Sequence, residues 1–297
     1  MSYASAVEPL RAANRLGDKG LYRWWNAAPD NKPALASNGC AVLPDFDFGA
    51  DDPELDVLFV CAGGNPATYA EHRTFAWLRR LARRGITLGG VSGGPFVLAR
   101  AGLLTGRRCT LHWEHAPAFE EAFPDVTLTR SLFEIDRDRL TCSGGISALD
   151  MMVALIARDH GRQLATAVSD WFLHTHVREG INPQRMDLRF RFGITDENLL
   201  AALKAMEAHL ETPMPRERLA ALAGVSLRQL ERKFRLCLGI GVHAHYLSLR
   251  LARARQLLRE SVMSVLDVAL ATGFTSASQF SRAFRRTFGQ SPKRRSP

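Results

Sequence analysis

Gly90-Val91-Ser92-Gly93-Gly94 has the types and spacing of a seat for a nucleophile. It reads as G-x-S-x-G, with an apolar run before it and a helix-forming run after it. A nucleophile elbow requires that order, because a sharp strand-to-helix turn presents the serine hydroxyl. The hydroxyl attacks only when a base takes its proton. His112 is available as that base, with Glu8 or Glu114 to orient the imidazole. The same turn permits a second chemistry, binding without reaction, since glycines at a strand-to-helix turn present backbone amides to an anion. G-x-S-x-G alone carries little information, and both chemistries stay open on these residues.

A second set of residues points to a polymer. Gln229, Arg232, Phe234, Arg235 and Gly239 recur at the same spacing as Gln279, Arg282, Phe284, Arg285 and Gly289. Before each copy stands a helical end, a glycine turn, a hydrophobe and a hydroxyl residue suited to cap the next helix: Ala221-Leu222-Ala223-Gly224-Val225-Ser226 and Leu270-Ala271-Thr272-Gly273-Phe274-Thr275. Two copies of helix, glycine turn, helix are what a pair of helix-turn-helix motifs requires. Between them Leu247, Leu251, Ala254 and Leu258 form an apolar stripe at helical spacing, with Arg250, Arg253, Arg255 and Arg259 expected on the other faces. Such a helix would be a rigid spacer, holding the two motifs roughly 34 Å apart, one turn of DNA.

The charge agrees with that partner. Net charge is +9, yet from Pro213 onward 16 Lys and Arg stand against 4 Asp and Glu, a surplus of 12, which leaves −3 for the rest. A basic half joined to an acidic one points to a polyanion for the basic half alone, DNA being the usual one. A chain of 297 residues, 46% hydrophobic, has material for two domains with cores. The sequence shows no run near the roughly 18 apolar residues of a membrane span and no signal-peptide layout, so a cytoplasmic protein with no membrane partner is expected. Cys40, Cys61, Cys109, Cys142 and Cys237 are odd in number, scattered and without a C-x-x-C pair. Neither a disulfide framework nor a zinc site is suggested, most of the five are expected to be buried, and no metal or cofactor is expected.

The elements that must position the elbow are legible upstream. Leu55–Val60 reads as a buried strand ending at Ala62-Gly63-Gly64-Asn65. Phe75, Leu78 and Ala82 mark a helix stopped by Gly85, and Ile86–Val91 a second strand, followed by a helix over Pro95–Ala101. Leu132–Asp136 and Arg139–Cys142 read as a hairpin turned at Arg137-Asp138, with a helix from Ala148 to about Arg158. Alternating strands and helices imply a parallel-sheet α/β sandwich, with ligands beyond the strand carboxyl ends at Gly63-Gly64-Asn65 and Ser92-Gly93-Gly94.

Residues from about Asp196 to Pro297 resemble the AraC/XylS-type regulators, through Arg250-Leu251-Ala252-Arg253-Ala254-Arg255-Gln256-Leu257-Leu258 and the string from Val268 to Arg285. The resemblance implies an all-α domain with recognition helices near Leu227–Cys237 and Ser276–Thr287. Candidate DNA contacts are Arg228, Gln229, Arg232 and Lys233 in the first and Ser276, Ser278, Gln279, Arg282 and Arg285 in the second. Arg can bond guanine and Gln adenine in bidentate fashion, the remainder holding phosphates. One departure is Gly239-Ile240-Gly241-Val242, where the family has Ser-Pro after the glycine, as Gln290-Ser291-Pro292 retains. A looser start to the spacer helix is expected there.

Residues from Met1 to about His176 are similar to the PfpI-like branch of the class I glutamine-amidotransferase-like superfamily, through Ala6-Val7-Glu8-Pro9-Leu10, Cys61-Ala62-Gly63-Gly64 and the run from Gly90 to Gly106. That superfamily implies a flavodoxin-like sandwich. Its enzymes carry cysteine at the elbow, followed by His or Thr, where this chain has Ser92 and Gly93. The replacement implies a pocket that kept its shape and lost its chemistry, with no catalytic residue; the alternative is a serine hydrolase or amidase using Ser92 with His112. In this order the two resemblances look like the GlxA-type branch of AraC regulators. Glu8-Pro9-Leu10-Arg11-Ala12-Ala13-Asn14 and Leu111-His112-Trp113-Glu114 are similar to regulators of glycine betaine, carnitine and arginine catabolism. The serine elbow looks closest to betaine-responsive members.

The expected effector pocket is therefore Glu8, Gly64, Asn65, Ser92, Gly93, Phe96, His112 and Trp113. Gly64, Asn65, Ser92 and Gly93 would donate to a carboxylate, while Trp113, Phe96 and Glu8 would face an ammonium. Core packing is as good an account of Trp113 and Phe96, and His112 is open between pocket wall and core. The expected domains are residues 1–177 (effector sensing), 178–195 (linker, with a hinge at Gly180–Thr195) and 196–297 (DNA binding). The resemblance implies a homodimer through the N-terminal domain, promoter DNA and a small-molecule effector as partners, and RNA polymerase if the protein activates. A non-specific nucleic-acid protein is the third class. Family members have a β-strand before the segment matching Ser2–Glu8, so about 20 further residues upstream are expected.

Overall fold

The computed structural model describes residues 1–17, 20–48 and 52–293. The chain divides into two compact units, Met1–Gln184 and Arg185–Pro297. Arg294 and Arg295, part of the C-terminal charge surplus, lie outside the described residues.

The first unit is the expected α/β sandwich. Its central sheet has four strands, β1 (Val57–Ala62), β2 (Thr87–Ser92), β3 (Phe133–Asp136) and β4 (Arg139–Cys142), in the order β1-β2-β4-β3. The first three in that order run parallel, and β3 returns antiparallel through the hairpin at Arg137, whose φ is +57°. Helices α1 (Ser2–Leu16) and α5 (Ser147–His160) cover one face, where Ala6, Val91, Leu140, Cys142, Ala148 and Met151 pack together. Against the other face lie α2 (His72–Arg83) and α3 (Gly94–Arg100). Helices α4 (Ala116–Ala122) and α6 (Arg162–Trp171) complete the unit, and no helix is long and apolar enough to cross a membrane among the described residues.

Two burial expectations are corrected. β1 forms the outer edge of the sheet, and Val57 and Cys61 on it are exposed, because β2 pairs with one side of it only. Of the cysteines, Cys109 and Cys142 are buried but Cys40, Cys61 and Cys237 are exposed.

The stretch expected to link the domains does not run free. Its first part is bound to the sandwich: Gly180 O accepts from Leu132 N at 2.7 Å, Ser131 bridges Pro183, and Arg178 forms a 2.6 Å ion pair with the fully buried Asp150. Its second part, α7 (Leu188–Phe192), ends at Gly193 with φ +65° and buries Leu188 in the core of the second unit.

That second unit is all helical. It contains α8 (Glu197–Ala208), α9 (Arg216–Leu222), α10 (Leu227–Leu238), α11 (Val242–Glu260), α12 (Val265–Ala271) and α13 (Ala277–Phe288). The repeat seen in the sequence is a repeat in space. α9 and α12 each end in a glycine turn, Gly224 (φ +67°) and Gly273 (φ +75°), and α10 and α13 each start on a serine cap and end on a left-handed glycine. The spacer is α11, which buries Leu251, Ala254, Leu257 and Leu258.

The expected loosening before α11 is offset locally: Gly241 supplies no side-chain cap, and the Glu231 carboxylate accepts from Val242 N at 3.4 Å instead. Arg250 departs from its expected solvent-facing role. Its guanidinium donates to Thr272 O and Gly273 O, both at 2.7 Å, and lies 4.2 Å from the Phe274 ring centre, tying the spacer to the second glycine turn. His245 is buried between Phe192 and Phe234, and Nε2 has no hydrogen-bond partner. Burial lowers its pKa, partly opposed by Glu207.

Two outcomes are expected. Arg250→Ala should destabilise the protein by about 2 kcal/mol in urea unfolding, from lost charge-assisted hydrogen bonds and the ring contact, and Arg250→Lys should restore only part because it lacks the planar fork. The buried neutral His245 contributes stability that is present above the ~6.5 of an unfolded histidine and falls as pH drops through that value toward the lowered folded one. The unfolding midpoint should therefore decline between pH 7 and pH 5, and His245→Phe should lessen the decline; an equal decline in both proteins would remove His245 as its source.

Candidate functional site

The elbow is built as its residue pattern requires. Ser92 ends β2 with φ +61°, a left-handed conformation that costs a non-glycine residue of order 1 kcal/mol or more and is sustained by its surroundings. Gly94 lets α3 close onto the sheet, because a Cβ there would stand 1.9 Å from Val60 O. Opposite the Ser92 hydroxyl is Gly144, where a Cβ would come within 2.6 Å of Ser92 Cβ and 3.0 Å of Ser2 Oγ. Ser2 Oγ also accepts from Gly145 N at 2.8 Å.

Not all expected pocket residues reach this place. α1 brings Ser2 to the elbow, while the Glu8 carboxylate is exposed and held by Arg11 at 2.6 Å. Phe96 is buried edge-on against Phe119 and Phe123, a core residue and not a pocket wall. The Gly93 amide is already committed to Ala62 O at 2.9 Å and has no proton to offer a ligand. Asn65 Oδ1 accepts from Ala67 N at 3.2 Å, capping the turn after β1, while Gly64 beside it is exposed at φ +66°. Trp113 is 39% exposed next to His112, their ring centres 5.4 Å apart.

His112 is joined to the elbow by its backbone, its N–H donating to Ser92 O at 3.1 Å. Burial, and then the neighbouring His115, lower its pKa, so the ring is neutral at neutral pH. Nδ1 accepts from Glu114 N at 3.3 Å, which places the single proton on Nε2 and leaves no open acceptor for a serine proton. Among the described residues no hydrogen bond joins Ser92 Oγ to an imidazole.

The second site is the pair of recognition helices. α10 and α13 carry the same burial sequence position by position, with Leu230 and Phe234 buried in one and Phe280 and Phe284 in the other. Both turn a basic face outward. Arg228, Arg232, Arg282 and Arg285 are exposed and make no hydrogen bond or ion pair among the described residues, and Ser278 is also exposed. Three other expected contacts have structural work. Lys233 pairs with Asp196, Gln229 and Ser226 cap α10 reciprocally, and Ser276 caps α13 by accepting from Gln279 N at 3.2 Å. Gln279 itself is exposed, with Thr275 on its side-chain oxygen at 3.2 Å.

Sequence reasoning missed Arg286. It is exposed one turn beyond Arg282 and lines a groove between α11 and α13 with His243, Ser248 and Thr287. Matching the two copies hid it, because the equivalent position in α10 is Leu236; its i+4 spacing from Arg282 was the available signal.

Comparison with known proteins covers both sites. The DJ-1/PfpI family model matches residues 3–158 and a helix-turn-helix domain model matches residues 219–295. The chain is 46% identical over 293 residues to the HTH-type transcriptional regulator GlxA of Rhizobium meliloti, covering 98% of this chain and 90% of that protein. It is 47% identical to the HTH-type transcriptional regulator CdhR of Pseudomonas aeruginosa, covering 98% and 86%. The crystal structure of an AraC family transcriptional regulator from Pseudomonas putida superposes with a TM-score of 0.50 at 28% identity, over 58% of this chain and 91% of that one.

The division between wall and core can be measured. Phe96→Ala should cost about 3 kcal/mol or more in urea unfolding, whereas Trp113→Ala should cost under about 1 kcal/mol, since its ring already meets solvent. The reverse ranking would return Phe96 to the pocket wall.

Proposed function

The chain belongs to the AraC-type helix-turn-helix transcription regulators that carry an N-terminal DJ-1/PfpI domain, and from that premise we propose that its elbow pocket binds, without reaction, a small amine- or amino-acid-like metabolite that controls promoter binding. The observation that carries the DNA side is the pair of recognition helices with matching burial and uncommitted arginines. On the sensing side, Ser92, the neutral His112 and the exposed Trp113 face support an effector with a quaternary or cationic nitrogen, glycine betaine first among carnitine and arginine. A cation is attracted to the indole face, worth about 0.5–2 kcal/mol depending on desolvation. In this reading the protein acts in the cytoplasm as a homodimer formed by the N-terminal units, and activates by contact with RNA polymerase.

The left-handed Ser92 favours a second reading, a serine hydrolase or amidase fused to a DNA-binding unit. The engagement of His112 Nδ1 by Glu114 weighs against it.

Purified protein should be stabilised against heat by glycine betaine, dimethylglycine, carnitine or arginine, and the stabilisation should vanish in Ser92→Ala and Trp113→Ala. At a hundredfold excess over Kd the gain is about 2.7 kcal/mol. Silence toward all four would withdraw the amine class, and turnover of amide or ester substrates lost in Ser92→Ala would install the enzyme. For DNA, Arg282→Ala should weaken an operator selected from a random-sequence library by about 1–3 kcal/mol in fluorescence anisotropy, with relaxed preference at one base pair if Arg282 reads a base. Unchanged affinity would remove it from the interface.

A further inference from the structure

One peptide group connects the elbow to the last residue of the sensing unit. The peptide between Leu111 and His112 donates its N–H to Ser92 O at 3.1 Å, and its carbonyl accepts from Gln184 Nε2 at 3.0 Å. The same nitrogen lies 3.0 Å from Thr110 Oγ1 and 2.8 Å from Ser131 O, so its two protons are shared among three acceptors. Those acceptors fix the orientation of the carboxamide and leave its oxygen buried without a partner. Because a peptide group is planar and stiff, its donor and acceptor ends move together. Any displacement of the strained Ser92 carbonyl is therefore delivered to Gln184. The chain continues from Gln184 directly into Arg185, the first residue of the DNA-binding unit, whose guanidinium lies 4.0 Å from Glu207 on α8.

We propose that Gln184 is the coupling residue of the regulator, carrying occupancy of the elbow through the Leu111–His112 peptide to the DNA-binding unit. The inference rests on the reading of the elbow as a sensor pocket. Gln184 is a positioning residue in it, touching neither effector nor DNA. A glutamine suits the role because its amide reaches three acceptors from a single stem. Methionine matches its shape without the donor, and glutamate would meet the same carbonyls with no proton to give.

The test places a known group at the elbow. In a chain whose exposed Cys40, Cys61 and Cys237 are replaced by serine, Ser92→Cys is alkylated with iodoacetamide and its occupancy read by intact mass. Operator affinity is then measured by anisotropy with and without the alkyl group. Alkylation should change affinity at least fivefold with Gln184 present and less than twofold in Gln184→Met and Gln184→Glu, while unalkylated affinities agree within twofold, showing folded protein. A fivefold response persisting in both variants would overturn the coupling role and leave the sensor intact. No response even with Gln184 present would overturn the sensor reading itself, and the coupling with it. Should the variants not fold, hydrogen exchange on the Gln184 protein decides. Alkylation should raise exchange at the His112 and Arg185 amides, and unchanged exchange at both would reject the proposal.

Discussion

Helix α3 can lie against the sheet only because residue 94 has no side chain, its backbone standing where a Cβ would be 1.9 Å from Val60 O. That approach dictates the rest of the first unit. The chain leaving β2 has too little length to turn gently, so Ser92 takes φ +61° and its neighbour Gly93 spends its amide on Ala62. The turn exposes the Ser92 carbonyl to His112 N and its side chain to Gly144, which must also be small. A turn with this geometry can present a nucleophile or the groups that hold a ligand, and the acid–base partner decides between the two. Shape and chemistry are separable here because backbone packing sets the first and the hydrogen-bond state of one imidazole the second.

In the second unit the glycine turns answer to backbone conformation, with φ +67° at Gly224 and +75° at Gly273, and the repeat was legible in the sequence for that reason. A left-handed glycine, a serine cap and two buried hydrophobes at fixed offsets are local features that need no knowledge of distant contacts. What stayed hidden was set by long-range partners. Lys233 looked available until Asp196, far upstream, proved to hold it. Arg250 looked solvated until the second glycine turn supplied two carbonyls. Glu8 and Phe96 show the same limit in the sandwich. Residue type marks each as able to line a pocket, but the Arg11 that holds Glu8 and the company of Phe119 and Phe123 around Phe96 are facts of packing. The run Leu55–Val60, expected to be buried, is at most half-buried, because an apolar run does not reveal how many neighbours its strand has.

The two recognition helices, though alike in burial, differ in where their cations sit. In α10 an arginine occupies the first turn, at Arg228, where a helix entering a major groove brings side chains closest to base edges. In α13 the same turn has Ser278, the middle arginines Arg282 and Arg285 repeat Arg232 and Arg235 of α10, and Arg286 adds a cation in the last turn. The two copies thus share their middle arginines, and the cations that set them apart are Arg228 and Lys233 in the first and Arg286 in the second.

Regulation through a link as small as Gln184 is quantitatively sufficient. A tenfold change in DNA affinity requires about 1.4 kcal/mol of coupling, within the usual range for allosteric proteins. One intramolecular hydrogen bond contributes about 0.5–1.5 kcal/mol net, and leaving a buried partner unsatisfied costs more. Gln184 shares its two amide protons among three acceptors while its oxygen already lacks a partner, so the carboxamide has little margin to absorb a shift of the Leu111 carbonyl without giving up a bond elsewhere. An effector need only prefer one of two positions of that peptide by the worth of a hydrogen bond for the operator to register it. No wholesale rearrangement of the sandwich is required, which suits an elbow where Gly94 and Gly144 leave no room for a Cβ.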